Sequence, residues 1–212
     1  MCGYLCTLDG LDPMIAFIIA TILYALSMSI TPGPTNIIMM TTGVNHGFKS
    51  TVPFATGAAV GFSAMVIIVA LGFGSMFTEN KNIMQGMAYI GAVLITYMGY
   101  KIAFSGTDME AEEKLRPSFM QGALLQWLSP KSWIACLASV SAFNLAVGGE
   151  RLVIYMCVYM AIGYSCVLAW GLAGSKISRF LKVGTNLRIF NYIMGASLVI
   201  VAVYLVLMDQ TA

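Results

Sequence analysis

Two short segments carry residues ill suited to an apolar helix: Ser29-Ile30-Thr31-Pro32-Gly33-Pro34-Thr35-Asn36 and Gln126-Trp127-Leu128-Ser129-Pro130-Lys131-Ser132. Each lies inside a hydrophobic stretch, and Pro32 and Pro130 stand 98 positions apart. Proline lacks a backbone donor and clashes with the preceding turn, so a helix is interrupted there. Thr31 precedes Pro32 and is pushed away from helical backbone angles. Gly33 is read as supplying backbone freedom. Pro34, Thr35 and Asn36 suit the opening of a new short helix that reaches to about Gly43. The half-helix before the break leaves free carbonyls near 27–30, and the one after it leaves free N–H groups near 34–36. That gap matches a zwitterion, with carboxylate on the N–H end and ammonium on the carbonyl end.

The second segment adds a charge. Lys131 is the one charge placed inside the hydrocarbon, Lys101 falling at the very end of its apolar stretch, and no Asp or Glu falls in any span to neutralise it. A Lys near a bilayer centre costs about 2.5–3.5 kcal/mol and is a functional candidate by default. Contact with a carboxylate or a coupling ion is the preferred reading. Snorkelling to the interface stays open, because Lys131 lies only about 13 residues into its span. The candidate binding residues are Thr31, Pro32, Gly33, Pro34, Thr35, Asn36, Gln126, Ser129, Pro130, Lys131 and Ser132. Trp127 and Trp133 either line the same cavity or sit at the membrane interface.

These residues need a membrane scaffold to position them. Of 212 residues, 59% are hydrophobic and 9% charged, against roughly 25% charged in soluble domains. Apolar stretches of about the ~20 residues that cross a bilayer occur at 13–43, 52–77, 84–104, 118–147, 152–174 and 189–208. The expected fold is all-α and integral to the membrane. It has six transmembrane helices as two inverted three-helix repeats, with the first and fourth helices broken by proline near 31–35 and 129–131. Repeat one covers 1–104, a charged cytoplasmic loop 105–117, and repeat two 118–208, all within one domain. An odd number of spans per repeat forces the second copy upside down. Tyr89-Ile90-Gly91-Ala92-Val93-Leu94 and Tyr192-Ile193-Met194-Gly195-Ala196-Ser197-Leu198 are the further trace of a repeat. In lipid, a broken helix persists only where protein or a polar cavity covers it, and paired breaks mark a secondary carrier's binding site.

Basic residues set the orientation. With Lys131 set aside, the odd-numbered loops hold Lys49, Lys101, Lys114, Arg116, Lys176, Arg179, Lys182 and Arg188, and the remainder holds Lys81 and Arg151. Both termini are therefore expected on the non-cytoplasmic side of a plasma (inner) membrane. The N-terminus lacks a positive n-region and a cleavage pattern, so the first span is expected to stay. Gly57-x-x-x-Gly61 and the series Ser165, Ala169, Ala173 are expected helix seams. Packing within one chain is the preferred reading for them, and a homodimer face remains open. Of the five cysteines, Cys2 and Cys6 fall on the oxidising side, where four-residue spacing is weak evidence for a pairing; Cys136, Cys157 and Cys166 are expected to pack as small apolar residues.

At its two breaks the sequence resembles the LysE/RhtB family of amino acid exporters. The first match is Ser29 to Asn36, continued by Asn45-His46-Gly47-Phe48-Lys49-Ser50-Thr51-Val52-Pro53 and Gly57-Ala58-Ala59-Val60-Gly61-Phe62. The second is Gln126-Trp127-Leu128-Ser129-Pro130-Lys131-Ser132-Trp133. That family typically reads Thr-Pro-Gly-Pro-Asn-Asn and Asn-Pro-Lys-Ala there, so Thr35 and Ser129 each replace an asparagine. The Gln-Trp flank looks most like the branch exporting cysteine or O-acetylserine. The resemblance implies efflux of small neutral amino acids from the cytoplasm, driven by the proton motive force, with protons as the coupling ion.

Other classes fit less well. An enzyme needs a positioned acid, base or nucleophile pair, yet the single His46 falls in a loop, where Asn45-His46-Gly47 reads as a turn. A thiol-redox carrier needs a cysteine at the first break, which has none. A channel, or a lipid-handling or purely structural membrane protein, stays as the remaining alternative. No basic stripe points to nucleic acid. No cofactor and no metal site are expected, and the partners are the amino acid, protons and the bilayer.

Overall fold

The computed structural model describes residues 12–73, 81–104, 116–147, 149–181 and 185–209, and among these every regular element is helical. Cys2, Cys6 and most of the 105–117 loop lie outside the described residues. The order is α1 (Pro13–Ile30), α2 (Pro34–His46), a tight turn Phe48–Thr51, and α3 (Val52–Ile68), which runs on as a wider turn over Val69–Phe73. Then come α4 (Lys81–Ala103), α5 (Phe119–Leu128), α6 (Pro130–Ala142), a short turn Leu145–Val147, α7 (Glu150–Leu181) and α8 (Asn186–Asp209). Pro13–Ile30, Phe48–Gly72, Glu150–Leu181 and Asn186–Tyr204 are long and apolar enough to cross a membrane by length and composition.

Local chemistry sets these boundaries. Pro13, Pro34, Pro53 and Pro130 each sit in the first turn of a helix, where a missing N–H costs nothing and the fixed φ already suits the turn. Asp12 accepts from Met14 N at 2.8 Å to cap α1. Ser118 and Gln121 close a reciprocal capping box on α5, which satisfies two orphan donors. Gly47, at φ 79, ends α2 in the left-handed region where a side chain is strained.

The broadest pairings are α4 with α8, α2 with α7, α3 with α5, and α1 with α7. The turn holding Lys49 joins α2 to α3 at one end of the bundle. At the opposite end α7 starts at Glu150, beside the contact of Leu145–Val147 with Val69–Phe73. The core divides accordingly. Ile38, Met39, Phe54, Ile95, Leu125 and Leu198 pack toward the Lys49 end. Met65, Val66, Trp133, Cys136, Val140 and Tyr155 pack toward the Glu150 end.

Gly57 and Gly61 face α5 of the same chain, where an added Cβ would meet the carbonyls of Phe119 and Ala123. The seam expected at Ser165, Ala169 and Ala173 is not one within this chain: all three are exposed, and α7 packs through its buried Gly163, Gly171 and Gly174. Four-residue spacing of small side chains defines a stripe without saying which way the stripe faces. Cys136 packs in the core as expected, but Cys157 is exposed on α7 and Cys166 lies between the two.

Candidate substrate site

The two helix breaks meet. The first spans 31–33 and the second only Ser129, so Pro34 and Pro130 each start the next half-helix. At the first break Thr31 Oγ1 donates to Ser27 O at 2.6 Å. Asn36, 4% exposed, folds its amide back and donates to Ser29 O at 2.8 Å and Thr31 O at 2.9 Å. Part of the carbonyl end expected for an ammonium is thereby already occupied by protein donors. On α2, Ile37 N is the first amide to close a helical bond, to Gly33 O, which leaves the N–H groups of Thr35 and Asn36 at the helix start.

Lys131 crosses from the second break to the first. Its Nζ donates to Thr31 O at 3.2 Å, and no carboxylate pairs with it among the described residues. Gly33 explains the room for this reach. Its φ of −157 and ψ of 178 are ordinary extended angles, so the backbone freedom read from the sequence is not what the position uses. A Cβ there would lie 3.2 Å from Lys131 Nζ, and glycine leaves that space to the ammonium.

A second link runs beside it. Gln126, 9% exposed, donates from Nε2 to Thr35 Oγ1 at 3.2 Å and accepts at Oε1 from Ser132 Oγ at 2.7 Å. Trp133 Nε1 donates to Trp127 O at 2.7 Å and the two rings meet edge to face. Neither tryptophan lines the cavity; they brace the second break.

Between the breaks lies a cavity of about 100 Å³, room for a small polar solute when one water needs roughly 10–15 Å³ on the same measure. Gly33, Pro34, Thr35, Asn36, Gln126, Ser129, Lys131 and Ser132 border it, whereas Thr31, Pro32 and Pro130 do not. Thr31 and Pro32 are exposed beside it. The sequence reading missed two walls: Ala55, Ala58 and Phe62 of α3, and Tyr159, Gly163 and Tyr164 of α7. Helical spacing of three and four residues was the signal available for both. Phe62 and Tyr159 stack at 4.9 Å on the side of the Glu150 end, and Tyr164 OH bonds Thr56 Oγ1 at 3.0 Å. Among the described residues no group of three His, Cys, Asp or Glu side chains could hold a metal ion. His46 is the last residue of α2, with Gly47 making the turn, and it borders a separate small cavity with Thr42, Asn45 and Lys101.

Residues 26–209 match the family model described as LysE type translocator. The chain belongs to the LysE type translocator family. It is 30% identical over 172 residues to the cysteine/O-acetylserine efflux protein of Salmonella paratyphi A, covering 78% of this chain and 87% of that one. It is 29% identical over 190 residues to the protein of the same name from Klebsiella pneumoniae, covering 88% and 95%. It is 27% identical over 169 residues to that of Escherichia coli O1:K1, covering 78% and 87%. No solved structure matches. Membership in this translocator family, together with the apolar helices, makes the chain a multi-pass membrane protein and a transporter rather than an enzyme.

Proposed function

We propose that this LysE type translocator exports small neutral amino acids or their derivatives, of the cysteine and O-acetylserine kind, from the cytoplasm across the plasma (inner) membrane, driven by the proton motive force. The observation that carries the reading is the meeting of two helix breaks at one cavity. Lys131 from one break is bonded to a carbonyl of the other. In this reading the Lys131 ammonium and the free N–H groups of Thr35 and Asn36 hold the cargo carboxylate. Pro34, Ser129 and Ser132 complete the walls, while Thr31, Pro32 and Pro130 shape the breaks.

The architecture proposed around it is six spans in two inverted repeats, 1–104 and 118–208, with both termini on the non-cytoplasmic side. α1 with α2 forms the first span and α5 with α6 the fourth. Exchanging the halves sends the first–fifth pairing onto the fourth–second and the third–sixth onto itself, and these are the broadest pairings observed. That recurrence supports the repeat. The eight-to-two asymmetry of basic residues supports the orientation. Nothing favours the thiol-redox alternative: Cys136 packs among apolar side chains with no described cysteine beside it.

Inverted membrane vesicles containing the protein test the reading. Labelled cysteine and O-acetylserine are expected to accumulate inside when the lumen is acid, and a protonophore should abolish the accumulation. No protein-dependent uptake of any amino acid would refute export, and uptake indifferent to the protonophore would refute proton coupling.

A further inference from the structure

Five threonines turn their hydroxyls back on the carbonyl four residues earlier: Thr21, Thr31, Thr41, Thr42 and Thr56. Thr35 does not. The carbonyl it would use, Thr31 O, already receives Asn36 Nδ2 and Lys131 Nζ. Its oxygen instead accepts from Gln126.

The orientation of that amide follows from its two neighbours. The 2.7 Å contact with Ser132 has the length of an O–H···O bond, and the 3.2 Å contact with Thr35 that of a long N–H···O bond. Ser132 therefore spends its hydrogen on Gln126 Oε1, and Gln126 spends one of its own on Thr35 Oγ1. A hydroxyl carries one hydrogen. That of Thr35 has no acceptor among the described residues, and Thr35 borders the cavity. The chain Ser132 to Gln126 to Thr35 thus ends in a donor presented to the cargo. Lys131 approaches from another side, against Thr31 and Gly33, and is the stronger claimant for a carboxylate. The acceptor left for Thr35 is on the cargo's side chain.

We propose that Thr35 is a specificity-determining residue that requires a hydrogen-bond acceptor on the cargo side chain, such as a hydroxyl, thiol or ester oxygen, and that Gln126 is the positioning residue that keeps the donor aimed at it. The proposal rests on the export function above. A site built to bond a polar group discriminates strongly against an analogue lacking it, because the site's own group is left unpaired.

Serine and 2-aminobutyrate have the same heavy-atom count and differ by a hydroxyl in place of a methyl. Uptake of each into inverted vesicles would be compared for wild type, Thr35→Val, Thr35→Ser and Gln126→Leu. Wild type should favour serine on the order of tenfold or more in Vmax/KM. Thr35→Val should lower Vmax/KM for serine far more than for 2-aminobutyrate, bringing the two cargoes to the same level, while Thr35→Ser restores the preference. Gln126→Leu should raise the serine KM more than it lowers Vmax. Equal losses for both cargoes in Thr35→Val would overturn the assignment, as would a wild type that does not distinguish them. Failure of wild type to move any amino acid would instead remove the export reading on which the assignment rests.

Discussion

Toward the Lys49 end the helices meet mostly backbone to backbone, with Phe104 on Tyr192 as a ring contact there, and toward the Glu150 end they meet through aromatic rings. At the Lys49 end an added Cβ on Gly43 would overlap Gly171 O, on Gly174 Met40 O, on Gly57 Phe119 O, and on Gly122 Phe54 O. At the Glu150 end Phe17 and Tyr24 lie edge-on to Phe143 at 5.7 and 5.5 Å, Phe143 meets Tyr155 at 5.4 Å, and Tyr155 stacks on Tyr159 at 5.5 Å. Gly72 and Gly149, in the turns at this end, have open space around them. Close glycine seams fix one register, because any added atom must displace a carbonyl. Ring contacts hold over a range of distances and angles. The cavity lies between a seam with little tolerance and a cluster with much more, and this difference can be broken experimentally in several places.

The largest effect is expected at the glycine seams. Gly57→Ala and Gly174→Ala should each cost about 3 kcal/mol of stability through forced overpacking, and Gly57→Leu should leave no folded protein. The control is Gly86→Ala on α4, where nothing lies within 4 Å of the added Cβ. It should be neutral or gain up to about 1 kcal/mol from helix propensity. Thermal unfolding of the detergent-solubilised protein measures the three alanine variants, and a Gly57→Ala protein as stable as Gly86→Ala would erase the distinction between the ends.

At the level of the breaks the expected loss is of transport rather than of fold. Lys131→Met removes a charge that is costly in lipid, so it should insert at least as well as wild type, yet export should fall to background. Lys131→Arg replaces a compact ammonium by a planar fork and should retain partial activity. Snorkelling predicts the opposite pattern, with Arg tolerated and Met harming insertion. Full efflux from correctly inserted Lys131→Met would end the functional assignment. Gly33→Ala crowds the same ammonium and should weaken export less than Lys131→Met does, with stability within about 1 kcal/mol of wild type.

The breaks were legible in the sequence because proline acts on its own turn, whatever surrounds it. Their consequence, that Lys131 reaches Thr31 O across a hundred residues, was readable only as a pairing of two unusual sites. The seams were half legible. Gly57 and Gly61 met a partner, but Ser165, Ala169 and Ala173 carry the same spacing on an exposed face, since in lipid a small side chain is as acceptable outward as inward. Helical spacing puts Tyr159 and Tyr164 near one face of α7, but spacing alone does not separate a cavity wall from a lipid face. Gly33 was recognised as necessary for the wrong reason, because a glycine's need for space depends on what another segment brings to it.

The smallest effects are expected among the rings, and there the same chemical change should take opposite signs. Tyr24 OH donates to Ala135 O at 2.7 Å and ties α1 to α6. Tyr24→Phe should therefore cost about 1 kcal/mol, the usual net worth of one hydrogen bond. Tyr155 is fully buried, and its hydroxyl has no hydrogen-bond partner among the described residues. An unsatisfied buried polar group is a standing penalty, so Tyr155→Phe should be neutral or stabilising by about 1 kcal/mol, with the stacked ring contact to Tyr159 kept. Thermal unfolding of the two variants side by side reads the difference directly. If Tyr155→Phe lost as much as Tyr24→Phe, the Tyr155 hydroxyl would be bonded after all, with the Ser139 hydroxyl as the partner at hand. The ring end would then be held by directional bonds like those at the breaks, and its contrast with the glycine end would shrink to one of degree.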